Sequence, residues 1–422
     1  MTARALSREA QSGAPALPLK PRIGCGDLMT VPGIVRVSVS NGLVQGFGNR
    51  MQGIVVAWLV LEMTGSKSWL GIVNGVPVLP VLLFSLLGGV VADTSNARRV
   101  MLLTRSVLAT VALTTALLVA TGQIATGHLL IYVLLVVGFA AVDMPVARTH
   151  VYSLVGGPRL LAANAMQSVF MNAITIVMPV SAGLLIAVGG PEAGFLLLAA
   201  GYAASVLLLR SVPSPPAGPP IARGNPLADV VAGIAYIRAT PAVAALVGLA
   251  FLIPVAGIYF AMVPVFAREV LLVGPGGLGV LVASFSVGGL LGSLYMAAGS
   301  RLRRRGLTLT LLGVAFGAGM AAFALSQSFA LSCAISLVMG VLAAFWQNIL
   351  GVLLQVAAAP EMRGRVTSVF TMGFQLVGLG WLVGGFLAAA LSVEFAVIAG
   401  GVVFSGLSLG IFALSTDLRR LD

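Results

Sequence analysis

Charge is what this sequence has least of. Only 9% of its 422 residues are Asp, Glu, Lys or Arg, where a soluble domain carries roughly 25%. A chain so poor in charge cannot cover its own surface in water. Mean hydropathy is +1.07, so the fitting solvent is lipid. Histidine is nearly absent too, with His128 and His150 the only two. No H-E-x-x-H pattern, nucleophile elbow or paired-carboxylate site appears, which argues against an enzyme. No G-x-x-x-x-G-K-[ST] loop is present, so nucleotide hydrolysis by that route is excluded. The two cysteines, Cys25 and Cys333, offer no disulfide framework and no metal cluster. No metal and no cofactor is expected. "RIGCG" around Cys25 glances at a lipoprotein cleavage box, but Arg22 stands where that box wants an apolar residue, and no hydrophobic stretch precedes it. A cleaved signal peptide is not expected.

What the chain has in abundance is apolar runs of about 20 residues, the length that crosses a hydrocarbon core about 30 Å thick. They lack the apolar/polar alternation of a membrane barrel. The 52 glycines suit close packing of helices in lipid. The expected fold is all-α and integral to the membrane: twelve transmembrane helices in two pseudo-symmetric six-helix bundles. Residues 1–33 read as a disordered cytoplasmic tail. A first bundle follows at 34–210. Residues 211–240 form a cytoplasmic linker, Pro-rich in "SVPSPPAGPPIARGNP", then a short amphipathic helix in "LADVVAGIAYIRATP". The second bundle covers 241–415, and 416–422 is a cytoplasmic tail.

Twelve spans put both termini on one side. All 24 basic residues except Arg50, Lys67 and Arg268 then fall on that side. Such a bias marks the cytoplasmic face, so both termini are expected there and the net charge of +12 needs no nucleic-acid partner. The halves also resemble each other. "WLGIVNGVPVLPVLLFSLLGGVVADTSNARRV" lies on "GLGVLVASFSVGGLLGSLYMAAGSRLRRRGL" without gaps, placing Leu70-Gly71 on Leu278-Gly279. Two parallel bundles follow from such a repeat.

Within the first of these stretches, "GGVVADTSNARRV" resembles the signature between spans 2 and 3 of the major facilitator superfamily, with Gly89, Asp93, Arg98 and Arg99 matching. "WLVLEMTGS", "DMP", "GIAYIRATP" and "PEMRGRVTSVF" resemble the branch that holds enterobactin and macrolide exporters. The resemblance covers about residues 34–415. It implies a secondary transporter of the cell membrane working by alternating access, with the proton gradient as energy source. Its cargo would be an amphipathic small molecule such as a drug, macrolide or siderophore, exported by proton antiport. Uptake by proton symport and a non-transporting membrane receptor stay open as alternatives. A monomer is expected. Asp93 would latch the cytoplasmic side, by capping a neighbouring helix start or by pairing with a cation such as Arg148.

Ionisable groups inside spans are expensive and default to function. Asp143 either carries the proton or pairs with Arg148. Arg50 either faces the pathway, binding an acidic substrate or a carboxylate, or snorkels to the outer interface. Asn41, Gln45, Gly48 and Gln52 fall within about 60° on a helical wheel, a stripe fit to line a cavity. Arg50 lies about 180° from Asn41, so a straight helix cannot aim both at one point; Gly46 and Gly48 would permit a bend. The resembling exporters commonly carry Asp where this chain has Asn49. The other substrate-cavity candidates are Gln167, Asn172, Gln347, Asn348, Gln375 and Trp381, with interhelical packing as the competing reading for each.

Overall fold

The computed structural model describes residues 31–81, 84, 96–213, 226–298 and 304–419. Gly89 and Asp93 of the expected gate lie outside these residues, as does most of the N-terminal tail. Among the described residues the chain is helical throughout. The elements are α1 (Ile34–Gln45), α2 (Gln52–Thr64), α3 (Lys67–Gly75), α4 (Ala97–Ala120), α5 (Thr126–Gly156) and α6 (Ala162–Arg210). There follow α7 (Pro226–Ala239), α8 (Pro241–Ala250), α9 (Ile253–Val265), α10 (Gly274–Ala297), α11 (Arg305–Leu325) and α12 (Phe329–Ala357). Last come α13 (Arg363–Gln375), α14 (Val377–Ala390), α15 (Val393–Leu414) and α16 (Thr416–Arg419). Nine segments among the described residues are long and apolar enough to cross a membrane. Their large exposed side chains, such as Leu103, Leu117, Leu207 and Val402, lie on outer faces, as the lipid side of a membrane bundle requires.

The helix ends follow from local chemistry. Ser66, Asn96 and Ser392 each accept a hydrogen bond from the backbone N–H three residues on, satisfying a donor that a helix start leaves orphaned. Pro241 and Pro275 sit where a missing N–H costs nothing. Gly156 and Gly190 take φ near +70° (69° and 73°), a region closed to most side chains, and break what would otherwise be one 85-residue helix.

At Gly190 the chain folds back. A Cβ on Gly194 would lie 3.6 Å from Ile186 Cγ1, whereas eight residues of straight helix span about 12 Å. The two arms of α6 therefore flank α1 in opposite directions. On one arm Ile174 meets Gly42 and Gly46; on the other Ser205 meets Ser40, Gly201 meets Phe47, and Gly194 meets Val55.

Between α1 and α2 the backbone is π-helical over Gly46–Met51. Each i→i+5 bond inserts a residue relative to an α-helix, and one residue turns the helix by about 100°. The stripe expected from Asn41 through Gln52 is therefore split. Asn41 and Gln45 keep a common face, while Gln52 is buried elsewhere, its Oε1 without a partner among the described residues.

One end of the molecule is drawn shut by glycines. A Cβ on Gly71 would lie 2.8 Å from Trp381 O and 3.0 Å from Gly385 Cα, so α3 and α14 touch backbone to backbone. Gly183 and Gly279 do the same for α6 and α10: a Cβ on Gly183 would meet Pro275 O at 2.5 Å. At the same end Lys67 Nζ and Glu269 Oε2 pair at 3.1 Å. Helix α7 occupies the expected amphipathic stretch. It leaves Val231 and Ile234 exposed, and its Tyr236 Oη accepts from Ala359 N at 3.0 Å.

Valine at Gly385 would force α3 from α14, because its Cβ would lie 2.7 Å from Lys67 O and from Gly71 Cα. The Lys67→Cys/Glu269→Cys pair, in a chain with Cys25 and Cys333 replaced by Ser, is expected to cross-link several-fold more slowly once Gly385→Val is added. An unchanged rate would show that the glycine contact does not hold this end closed.

Candidate functional site

Asn96 starts α4, and nine residues on, about 14 Å along the axis, the helix carries Arg105 fully buried at 0% exposure. Its guanidinium meets Asp143 of α5, 3% exposed. Arg105 Nε donates to Oδ1 at 3.2 Å and Nη2 to Oδ2 at 3.0 Å, a two-pronged ion pair. The remaining donors find neutral oxygens. Nη2 also donates to Asn41 Oδ1 at 2.7 Å, and Nη1 donates to Ser205 Oγ at 3.1 Å and to Ser40 Oγ. Thr104 Oγ1 donates to Asp143 Oδ1 at 2.7 Å. Ser40 and Ser205 are themselves joined, Oγ to Oγ at 2.7 Å. One cation thus ties α1, α4, α5 and the second arm of α6 together, with both charged partners out of water.

The pair forms part of the wall of a cavity of about 770 Å³. Asn41, Gln45, Arg148, Asn164 and Gln167 line it as well. It reaches toward the end opposite the glycine contacts, where Asn164 and Arg148 are exposed. At that end Arg98 Nε donates to Leu209 O at 3.2 Å and Nη2 donates to Arg210 O, placing a cation on the last carbonyls of α6. Arg99 is exposed, and its backbone N–H is the one capped by Asn96.

A second, smaller cavity of about 130 Å³ lies between α2, α3, α9, α10 and α14. Arg50, Asn74, Tyr259 and Trp381 are among its lining residues. Arg50 and Asn41 therefore serve different cavities.

Several expectations are met by different geometry. The partner of Asp143 is Arg105 and not Arg148, because Arg105 lies on the buried face of α4 while Arg148 lies on the cavity side of α5. Arg105 itself had been grouped with the loop charges that fix topology; it is inside the helix bundle. Gln347, Asn348 and Gln375 are exposed and line neither cavity, and Asn348 Nδ2 donates back to Ala344 O at 2.8 Å. The side chains of Asn49 and Asn172 lie outside what the structure describes. The sequence reading missed Ser40, Thr104, Arg105, Ser205 and the buried His150.

A family model described as transmembrane secretion effector matches residues 33–421. The multidrug efflux pump Tap of Mycolicibacterium fortuitum is 27% identical over 395 residues, 90% of this chain and 95% of that protein. The enterobactin exporter EntS of Shigella boydii is 26% identical over 287 residues, 67% of this chain and 68% of that protein. Among solved structures, a bacterial homologue of the human lysosomal transporter Spinster, inward-facing and unoccupied, superposes with a TM-score of 0.72 at 16% identity, covering 92% of this chain and 97% of that one. The nucleoside transporter NupG superposes with a TM-score of 0.67 at 15% identity, covering 92% of this chain and all of that one. These likenesses show a shared fold.

Asn41→Leu removes one acceptor from a buried guanidinium, a change that costs about 1–3 kcal/mol. The melting temperature in detergent is expected to fall by a few degrees, whereas Ser168→Ala on the exposed wall of the same cavity leaves it unchanged. Equal melting temperatures would show that Asn41 does not hold the pair.

Proposed function

Given that the chain belongs to the transmembrane secretion effector family of major facilitator transporters, we propose that it exports an amphipathic small molecule from the cytoplasm by proton antiport. It is a multi-pass membrane transporter and not an enzyme. In this reading twelve helices form two six-helix bundles, 34–210 and 241–415, joined by the linker 211–240, in a monomer in the cytoplasmic membrane. Both termini face the cytoplasm, as the bias of basic residues argues. The glycine-closed end is then the outer end, and the state described is open inward.

The observation that carries this reading is the cavity of about 770 Å³ with the Arg105–Asp143 pair in its wall. Its volume suits a drug-sized ligand, and its lining mixes Met144, Ala147, Val151 and Leu160 with amides, one ion pair and Arg148. Such a lining suits an amphiphile of the kind named for the efflux relatives, a drug or a siderophore. Asp143 is the one carboxylate lining this cavity among the described residues, and it would serve as the coupling group, its contact with Arg105 made in one end state and broken in the other. Asp93, Arg98 and Arg99 would act as a latch at the cytoplasmic end.

Cells producing the chain are expected to accumulate several-fold less of a fluorescent amphiphile than cells with an empty vector. An uncoupler restores accumulation, and Asp143→Asn does the same at normal membrane abundance. Low accumulation that the uncoupler leaves unchanged would contradict antiport.

A further inference from the structure

Among the described lining residues, each cavity holds one more arginine than carboxylate. In the larger, Arg105 is paired with Asp143 and Arg148 is exposed. The smaller holds Arg50 and, among its described lining residues, no carboxylate. No hydrogen-bond acceptor or ion-pair partner for the Arg50 guanidinium is found among the described residues. Arginine does not lose its proton in proteins, so it cannot relieve an unmatched charge by neutralising. Arg50 is exposed and lines this space, so its charge is open to a diffusible anion.

A second donor lines the same cavity. Trp381 Nε1 is buried, and no acceptor for it occurs among the described residues. An indole N–H can only donate. The other polar side chains that line the cavity are turned to protein partners: Asn74 Nδ2 to Leu70 O, Ser286 Oγ to Val282 O, and Tyr259 Oη paired with Ser336 Oγ. Two donors without acceptors, one of them a fixed cation, thus line a space otherwise walled by apolar and aromatic side chains.

Size sets an upper limit. An apolar cavity of about 150 Å³ takes a benzene ring, and this one, about 130 Å³, admits no more than one ring. Gly53, Ile54 and Ala57 put one face of α2 against it, and Arg50 joins them from the π-helical turn just before. A Cβ on Gly53 would meet nothing within 4 Å, which leaves open space beside the guanidinium.

We infer that this cavity is a subsite for the anionic, single-ring head group of the exported molecule. Arg50 takes the charge, Trp381 Nε1–H donates a second hydrogen bond, and Tyr259, Phe260 and Phe285 pack against the ring. This deepens the export reading and rests on it for the identity of the ligand as cargo. It assigns the cargo a carboxylate or phenolate on an aromatic ring.

The test is equilibrium binding of radiolabelled salicylate to the purified full-length chain in detergent, with no gradient present. Salicylamide, which has the same ring and no charge, is the comparison. Saturable salicylate binding is expected, at least tenfold tighter than salicylamide. Arg50→Gln lowers salicylate affinity at least tenfold and leaves salicylamide unchanged, while Arg50→Lys keeps part of the preference. Gly53→Leu fills the space and weakens both ligands. No saturable binding at millimolar salicylate, equal affinities for the two compounds, a preference that survives Arg50→Gln, or affinities unchanged by Gly53→Leu would each overturn the assignment. If Arg50→Gln fails to fold, the wild-type preference and the Gly53→Leu result still decide. Failure of the export reading shows separately, as absent efflux from cells whose purified protein still prefers salicylate.

Discussion

The Arg105–Asp143 ion pair is the interaction on which the rest of the first half depends. Taking a guanidinium and a carboxylate out of water costs several kcal/mol per ion, repaid only when geometry is good and the leftover donors find acceptors. Both conditions hold here. The carboxylate is gripped on two oxygens, and Asn41, Ser40 and Ser205 take up the remaining donors. Because those partners sit on α1, α4, α5 and α6, the chemistry of one side chain fixes the relative positions of four helices. The hydrophobic effect gives little help between helices in lipid, where the tails are as greasy as leucine.

The glycine contacts solve a different problem. Two helix pairs close one end. Gly71 with Gly385 and Gly183 with Gly279 bring backbones together with no interlocking side chains. Such surfaces can separate without repacking a core. The internal repeat matches Gly71 to Gly279, so the two contacts use equivalent positions of the two halves. The Lys67–Glu269 pair adds a partly exposed, weaker tie beside them. The buried pair and the glycine end thus do different work: a polar anchor that shapes the cavity on one side, and backbone contacts between helices that close the other.

Much of this could be read from the sequence because periodicity survives in lipid. The short helix expected in "LADVVAGIAYIRATP" coincides with Pro226–Ala239. Asn41 and Gln45 were recognisable as cavity residues from their spacing alone. Arg105 was not, because it lies close enough to the basic run at Arg98 and Arg99 to be counted with it. The signal was its depth: with Asn96 as the cap, Arg105 is two and a half turns into an apolar helix, too far for a loop charge. Ser40 and Ser205 gave no signal, since a serine in a membrane helix is ordinarily satisfied by its own backbone. The π-helical turn at Gly46–Met51 was beyond composition too. Its glycines hinted at a bend, but only the backbone shows that Gln52 leaves the face of Asn41.

Pairwise coupling between Arg105 and Asp143 is the most direct gauge of the central claim. The stabilities of the wild-type chain, Arg105→Gln, Asp143→Asn and the double variant form a double-mutant cycle, read by unfolding in one detergent. Each single change leaves a buried charge uncompensated and is expected to cost about 3–5 kcal/mol. The double variant should recover a large part of that loss, leaving a coupling of at least about 2 kcal/mol. Additive losses would mean that the two side chains do not meet in the folded protein, and the account built on them would not stand.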